Sequence, residues 1–355
     1  MGGDDLTRAP PKLRLLLYCW EVGAAAALAP VARAARDRGY QVFDASPEPA
    51  RTVLARRVAT IVQILPQQAA HERIDALLVG IGHPRQVDAV EVWRQLHRLA
   101  PAVAVLDHWK GLERFVPLAS GQRIFLPDRI CVPDDAAAAA LRRLGLAPEC
   151  LAVTGHPALH AASAAREARP RERVREELGL PLDAPVYLLA SETLHAHPFN
   201  AECGAGCHVL ERHTVGGGTV LDRVTDLARR DGALLVLRPH PAQPPVTGAG
   251  GRSISWERAD DEAILGAVDR VYGISSMLLP LAVARGLDAA NLAPLLDDWT
   301  PAQSFLDAAL WVQVSATGCF GRFGAAATGR PDFGPGAEAV LAIIGELCEL
   351  RKVTP

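Results

Sequence analysis

The sequence predicts an α/β protein made of two doubly wound domains that face a central cleft. Three observations carry that expectation. Short apolar runs alternate with segments of helical length, the pattern of parallel βαβ units. The alternation breaks once, between His156 and Pro185, and then restarts. At 355 residues the chain also exceeds a single ordinary core, at ~150 residues per domain. The expected domains are 12–165 and 166–355. The last helix either closes the second domain or packs back toward the first.

The elements follow in order. Leu13–Trp20 (LRLLLYCW) reads as a buried strand and Ala24–Arg38 as a helix closed by Gly39. YQVFDAS is the second strand, and Arg51–Ala70 is helical in its early part until Pro66 interrupts it. Ile74–Gly82 is a strand ending in glycines, Val87–Leu99 an amphipathic helix and AVAVLD the next strand. Arg129–Val132 and Leu151–Gly155 bracket a helix over Asp134–Leu144. The stretch 156–185 carries the charged helix RERVREELG and reads as the connection between domains. The pattern then resumes with VYLLAS, a long loop, a helix over Thr219–Arg230, the strand ALLVLRPHP and Ser253–Trp256. A helix over Asp260–Ala267, the strand RVYG and a helix over Met277–Arg285 follow, and Ala337–Leu350 is the last helix.

Bulk properties narrow the function. Hydrophobic residues make up 49% and charged residues 22%, with a formal net charge of −3 and no long basic block. Nucleic acid is therefore not an expected partner. The N-terminal segment lacks a signal-like apolar core, and no ~18-residue apolar run offers a membrane span. A cytoplasmic location is expected, with room for peripheral contact with a membrane. The seven cysteines are odd in number and mostly scattered, which fits a reducing compartment better than a disulfide scaffold.

The chemistry gathers at strand ends. Leu234–Pro241 (LLVLRPHP) is an apolar strand that stops on a histidine fenced by prolines, and open α/β sheets bind ligands beyond the carboxyl ends of their strands. One βα unit later, Arg270–Leu279 (RVYGISSMLL) is a short strand, a glycine and two serines where a helix begins. His240 on one strand end and Ser275 and Ser276 on another would grip a phosphate from two sides, with Gly273 and Arg238 beside them. A turn histidine and a capping serine are the plainer alternative for each element alone.

In the first half, groups able to act as a general base sit after strands: Glu21, His83 and Asp107. Asp107 is the first choice, because LDHWKGLERF collects an acid, a histidine and an aromatic at one strand end. No Asp-x-Asp pair occurs in the chain, so a metal anchor of that type is missing. A bound phosphate would be held by amides, hydroxyls, His240 and Arg238. Ser191–His213 holds four histidines and two cysteines, candidate zinc ligands. Their spacing matches no strong zinc pattern, and substrate contact or loop packing competes.

The His-Pro after an apolar strand, followed by Ser-Ser at the next helix start, resembles two C-terminal motifs of GT-B glycosyltransferases. The closest pattern is that of bacterial sialyltransferases and CDP-glycerol glycerophosphotransferases. Leu126–Ala162 is also similar to the end of an N-terminal GT-B domain, and to a stretch of the UDP-N-acetylglucosamine 2-epimerases. The resemblance implies a GT-B-like pair of Rossmann-like domains, a nucleotide-activated sugar or polyol-phosphate donor, and a glycan or lipid-linked acceptor. It implies an inverting, metal-independent transferase of surface polysaccharide synthesis that needs no cofactor. Two departures stand out. The paired acids before a glycine are met only by Glu21-Val22-Gly23, and the helix after the serines, MLLPLAVAR, lacks an acid for the ribose. A UDP-N-acetylhexosamine 2-epimerase or hydrolase, and a catalytically silent nucleotide binder, are the rival expectations.

Overall fold

Strands buried on both faces must be apolar along their whole length, and that is how the chain's parallel sheets are written. The structure, a computed structural model, describes residues 13–80, 87–109, 112, 127–164, 169–191, 214–240, 252–274, 276–292, 295–297 and 333–353. It divides into two compact units, Met1–His160 with Phe333–Pro355, and Ala161–Asp332.

The first unit holds β1 (Arg14–Tyr18), α1 (Val22–Asp37), β2 (Gln41–Asp44), α2 (Ala50–Arg57), β3 (Val62–Gln63), β4 (Ala76–Gly80), α3 (Val87–His97) and β5 (Ala102–Val105). It continues with β6 (Arg129–Val132), α4 (Asp135–Arg143), β7 (Leu151–Val153) and α5 (Pro157–Ala164), within which the division falls. Its seven strands are parallel in the order β3-β2-β1-β4-β5-β6-β7. The chain winds outward from β1 in both directions, so the switch point lies between β1 and β4. Ala24–Ala27 of α1 are buried, and a Cβ at Gly80 would stand 2.8 Å from the Cβ atoms of both Ala24 and Cys19. Small residues on both sides let the helix lie directly on the sheet.

The second unit holds α6 (Arg171–Leu178), β8 (Val186–Ala190), β9 (Thr214–Val215), β10 (Gly218–Thr219), α7 (Val220–Arg230), β11 (Leu234–Arg238) and β12 (Arg252–Ser253). Then come α8 (Asp261–Ala267), β13 (Arg270–Gly273), α9 (Leu278–Ala284) and β14 (Asp288–Asn291). The five-stranded parallel sheet has the order β12-β11-β8-β13-β14, with its switch point between β8 and β13. Two apolar clusters cover its faces, one including Leu188, Val236, Ile264 and Leu279, the other Leu189, Val224, Leu237 and Tyr272. The buried Arg175 ties the approach to β8. It donates to the carbonyls of Ala267, Pro181, Leu182 and Ala184 and to Asp269 Oδ2 at 2.7–3.1 Å. Burial acts to raise the Asp269 carboxyl, but the Val186 amide, Arg171 and Arg175 together hold it below the usual range.

The last helix, α10 (Ala337–Val353), groups with the first unit. Glu338 pairs with Arg38 at the end of α1, and the Arg351 Nη1 donates to the Leu99 carbonyl at 3.2 Å.

Four segments depart from the pattern read in the sequence. The helix from Ala50 stops at Arg57, and Val62–Gln63 pairs with β2 as an edge strand instead. Its β-branched neighbours Val58 and Ile61 favour extended backbone. Pro66 opens a 3₁₀ turn over Pro66–His71. Pro157–Ala164 is helical, with proline at the first position where its missing N–H costs nothing. Thr214–Thr219 is a hairpin closed by Gly216 and Gly217, both at positive φ (56° and 81°), as a two-residue primed turn requires. Asp288–Asn291 is a strand despite its composition, because β13 supplies the partner.

Candidate functional site

In each unit the candidate residues lie at the carboxyl ends of parallel strands. In the first, β1 runs out through Cys19 and Trp20 to Glu21, which stands at the N-cap of α1 with extended backbone (φ −113°, ψ 149°). Its side chain does not cap the helix, and α1 carries no acid in its first turn. Asp107, two residues past β5, is 7% exposed. Its Oδ2 lies 3.2 Å from where a Gly23 Cβ would be, closer than side chains normally approach. Gly23 therefore admits a carboxylate beside the first turn of a sixteen-residue helix, where negative charge is favoured. Both Glu21 and Asp107 are near enough to the buried Cys19 to oppose its ionisation. Burial is the larger cause and, with Asp44, pushes that thiol far above its ordinary range despite the Ser46 hydroxyl.

The rest of this rim is bonded to itself. Asp44, fully buried at the end of β2, accepts from the Ser46 amide and from Gln63 Nε2, both at 2.8 Å. Burial pushes its carboxyl above the usual carboxylate range, although those donors and Arg51 pull the other way. Ser46 Oγ in turn accepts from the Cys19 amide at 3.0 Å. Trp109 Nε1 donates to Asp134 Oδ2 at 2.7 Å, while Asp134 Oδ1 caps α4 through the Ala137 amide at 2.7 Å. Trp109 also stacks on His156, with ring centres 6.1 Å apart. His156 is 3% exposed, and burial holds its imidazole below the ordinary histidine range. His83 lies outside the described residues.

In the second unit, β11, β8 and β13 are neighbours in that order, so β8 stands between the two sequence motifs. His240 follows the buried Pro239 and is exposed. Ser276 is half-buried, and its Oγ accepts from the Leu278 amide at 3.3 Å as α9 begins. Ser275 lies outside the described residues. Gly273 is buried, and a Cβ there would meet Ala190 and Leu279 at 3.4–3.5 Å, ordinary contact distances. Arg238 is buried, with its donors directed inward. Nη1 goes to the carbonyls of Ile254 and Ala259 at 3.4 and 2.7 Å, and Nη2 to Asp261 Oδ1 at 3.0 Å. Its charge fixes the connection from β11 to α8.

One residue here was not singled out from the sequence. Ser191 extends β8 by one bond, its amide donating to the Arg238 carbonyl at 2.9 Å. It is 4% exposed, and its Oγ has no hydrogen-bond partner among the described residues. The only sequence signal is its place: the residue just past the apolar run of the strand at the switch point. The cysteines and histidines that follow it, 195–213, lie outside the described residues. Among those described, no group of three or more His, Cys, Asp or Glu could hold a metal ion, and no helix is long and apolar enough to cross a membrane.

No protein-family model matches the sequence, and no curated protein is significantly similar to it. Solved structures are similar in fold. The UDP-GlcNAc 2-epimerase of Methanocaldococcus jannaschii, in complex with UDP-GlcNAc and UDP, is 11% identical with a TM-score of 0.58, covering 94% of this chain and 100% of its own. The Neisseria meningitidis UDP-GlcNAc 2-epimerase bound to UDP-GlcNAc is 12% identical with a TM-score of 0.55, covering 96% and 92%. Anabaena HepE, in complex with UDP and glucose, is 13% identical with a TM-score of 0.50, covering 79% and 80%. The chain thus has an α/β fold of the GT-B type, with two doubly wound Rossmann-like units.

Proposed function

We propose that the chain is a nucleotide-sugar enzyme, a metal-independent inverting transferase that moves a sugar or polyol phosphate onto a glycan or lipid-linked acceptor. The observation that carries the reading is the content of the two switch-point rims. One offers carboxylates, Asp107 and Glu21, and the other offers hydrogen-bonding groups, His240, Ser191 and Ser276. Support comes from solved structures of the same fold that hold UDP or UDP-GlcNAc. In this reading the second unit binds the donor's phosphates and gives hydrogen bonds to the leaving group as its charge develops. Arg238 fixes that rim and does not touch phosphate. Asp107 takes the proton of the acceptor hydroxyl, which then attacks the donor. At the anomeric carbon of a sugar it displaces the nucleotide with inversion, and at the phosphorus of a polyol phosphate it expels the nucleoside monophosphate.

The test has two steps. Calorimetric titration and thermal shift with UDP, CDP, CMP and GDP identify the nucleotide. A ligand at about 100 times its Kd should stabilise the fold by about 2.7 kcal/mol. Failure of all four to bind would end the reading. The cognate sugar nucleotide is then incubated with and without acceptor. Asp107→Asn should lower turnover about 100-fold with nucleotide binding retained. Unchanged turnover would move the base to Glu21 or His83. Formation of an epimer or free sugar from UDP-GlcNAc alone would instead identify a 2-epimerase or hydrolase. Binding without any turnover would identify a silent binder.

A further inference from the structure

We infer that His156 is a positioning residue for Asp107, holding the strand end that carries the proposed base through a neutral imidazole clamped at both nitrogens. The inference rests on the role given to Asp107 above. The Leu159 amide donates to Nδ1 at 3.4 Å, so the ring proton sits on Nε2, which donates to the Asp107 carbonyl at 3.1 Å. Trp109, two residues beyond Asp107, lies against the same ring with the planes inclined by 22°. Its indole nitrogen is anchored on Asp134, which belongs to another strand-helix connection. The backbone leaving the carboxylate is thus held by one buried imidazole, at Asp107 itself by a hydrogen bond and two residues on by a stacked ring.

The turn that presents His156 is itself fixed. Gly155 has φ +78°, and a Cβ there would stand 2.0 Å from the Phe333 carbonyl oxygen. Gly334 packs back onto Gly155, and the Gly336 amide donates to the Thr154 carbonyl at 2.8 Å. The chain returning at 333–336 is therefore packed onto the turn from which His156 reaches Asp107. Chain segments 49 residues apart in sequence meet at this one bond. Three features keep the imidazole neutral: it is buried, it sits at the N-terminus of α5, and the Leu159 N–H is aimed at Nδ1. Each disfavours an imidazolium. A neutral ring with one proton in a fixed place suits a positioning role.

Two variants separate positioning from packing. His156→Phe keeps a ring against Trp109 and removes the donor, whereas His156→Gln keeps an N–H near the place of Nε2. With the full chain and the sugar nucleotide and acceptor identified by the test above, the Phe variant should lose about 10- to 100-fold in kcat with KM unchanged, as expected for a misplaced reacting group. The Gln variant should recover most of that loss. Wild-type kcat in His156→Phe, or equal losses in both variants, overturns the inference. If the wild type turns over no sugar nucleotide with or without acceptor, the proposed function is at fault, and NMR decides the inference. Long-range ¹H–¹⁵N spectra at pH 7 should then show one histidine, absent from His156→Gln, as the neutral Nε2–H tautomer. The Asp107 carbonyl shift should also move in His156→Phe. A charged or Nδ1–H ring, or an unmoved carbonyl, overturns it.

Discussion

The carboxyl-end rims of the two sheets share a winding pattern and are finished in different ways. Around β1, β2 and β5 the polar groups bond to one another: Asp44 to Ser46 and Gln63, Trp109 to Asp134, His156 to the Asp107 backbone. Around β11, β8 and β13 the rim ends on an exposed His240, a half-buried Ser276 and a Ser191 hydroxyl with no partner among the described residues. Buried polar groups are ordinarily satisfied within the fold, and the exceptions call for an explanation. On the first rim these hydrogen bonds join neighbouring strand ends. On the second, the Ser191 hydroxyl stands at the end of the switch-point strand β8, where an open sheet binds its ligand. The same kind of substitution should therefore change stability on the first rim and affinity on the second.

The largest effect belongs to the first rim. Gly155→Ala adds a methyl at positive φ and against the Phe333 carbonyl. Left-handed strain and overpacking together should cost about 2–5 kcal/mol, read as a lower midpoint in urea unfolding. A stability within 0.5 kcal/mol of wild type, roughly the size of an ordinary surface substitution, would show that the returning segment is not held there.

Next come the second-rim residues. His240→Ala and Ser276→Ala should each weaken nucleotide binding by ~10- to 100-fold, about 1.4–2.8 kcal/mol, with the midpoint of unfolding nearly unchanged. The double variant should be less than additive if both hold one phosphate. Ser191→Ala should lose affinity too while leaving the fold as stable or more stable, since it removes a buried hydroxyl that bonds to nothing described. A clear loss of stability in Ser191→Ala would show that this hydroxyl is satisfied within the fold, and the contrast would fall.

The smallest effect is a pH dependence. The Asp44 carboxyl has its folded-state value raised above 3.8 by burial. Its protonated form therefore contributes stability that is complete below pH 3.8 and is lost as pH rises through the raised value. Asp44→Asn removes that titration. The stability of the variant relative to wild type should climb as pH rises above 3.8 and level off once the raised value is passed. A difference that falls over that range would mean the carboxylate is better satisfied as an anion than its burial implies.

Much of this was legible in the sequence, because burial on both faces writes a parallel strand as an apolar run. RLLLY, ALLVG, VYLLA and LLVLR were readable for that reason. Helix starts were readable where a side chain caps its own backbone, as at Asp134, Thr219 and Asp260. His240, Ser276, Asp107 and Glu21 could be picked out because each sits a few residues past such a run, so local order alone put them on a rim. What the sequence could not carry were relations whose two partners lie far apart in the chain. DAAN is a strand only because β13 lies beside it. Arg238 reads as a free cation until Ala259 and Asp261 claim its donors. Ser191 is one of many serines until burial removes its water. His156 becomes a clamp only when β5 and the turn after β7 meet. Periodicity and capping are local, and the sequence alone determines them. Desolvation and hydrogen-bond partnership depend on what the folded chain brings alongside, and only the tertiary structure decides those.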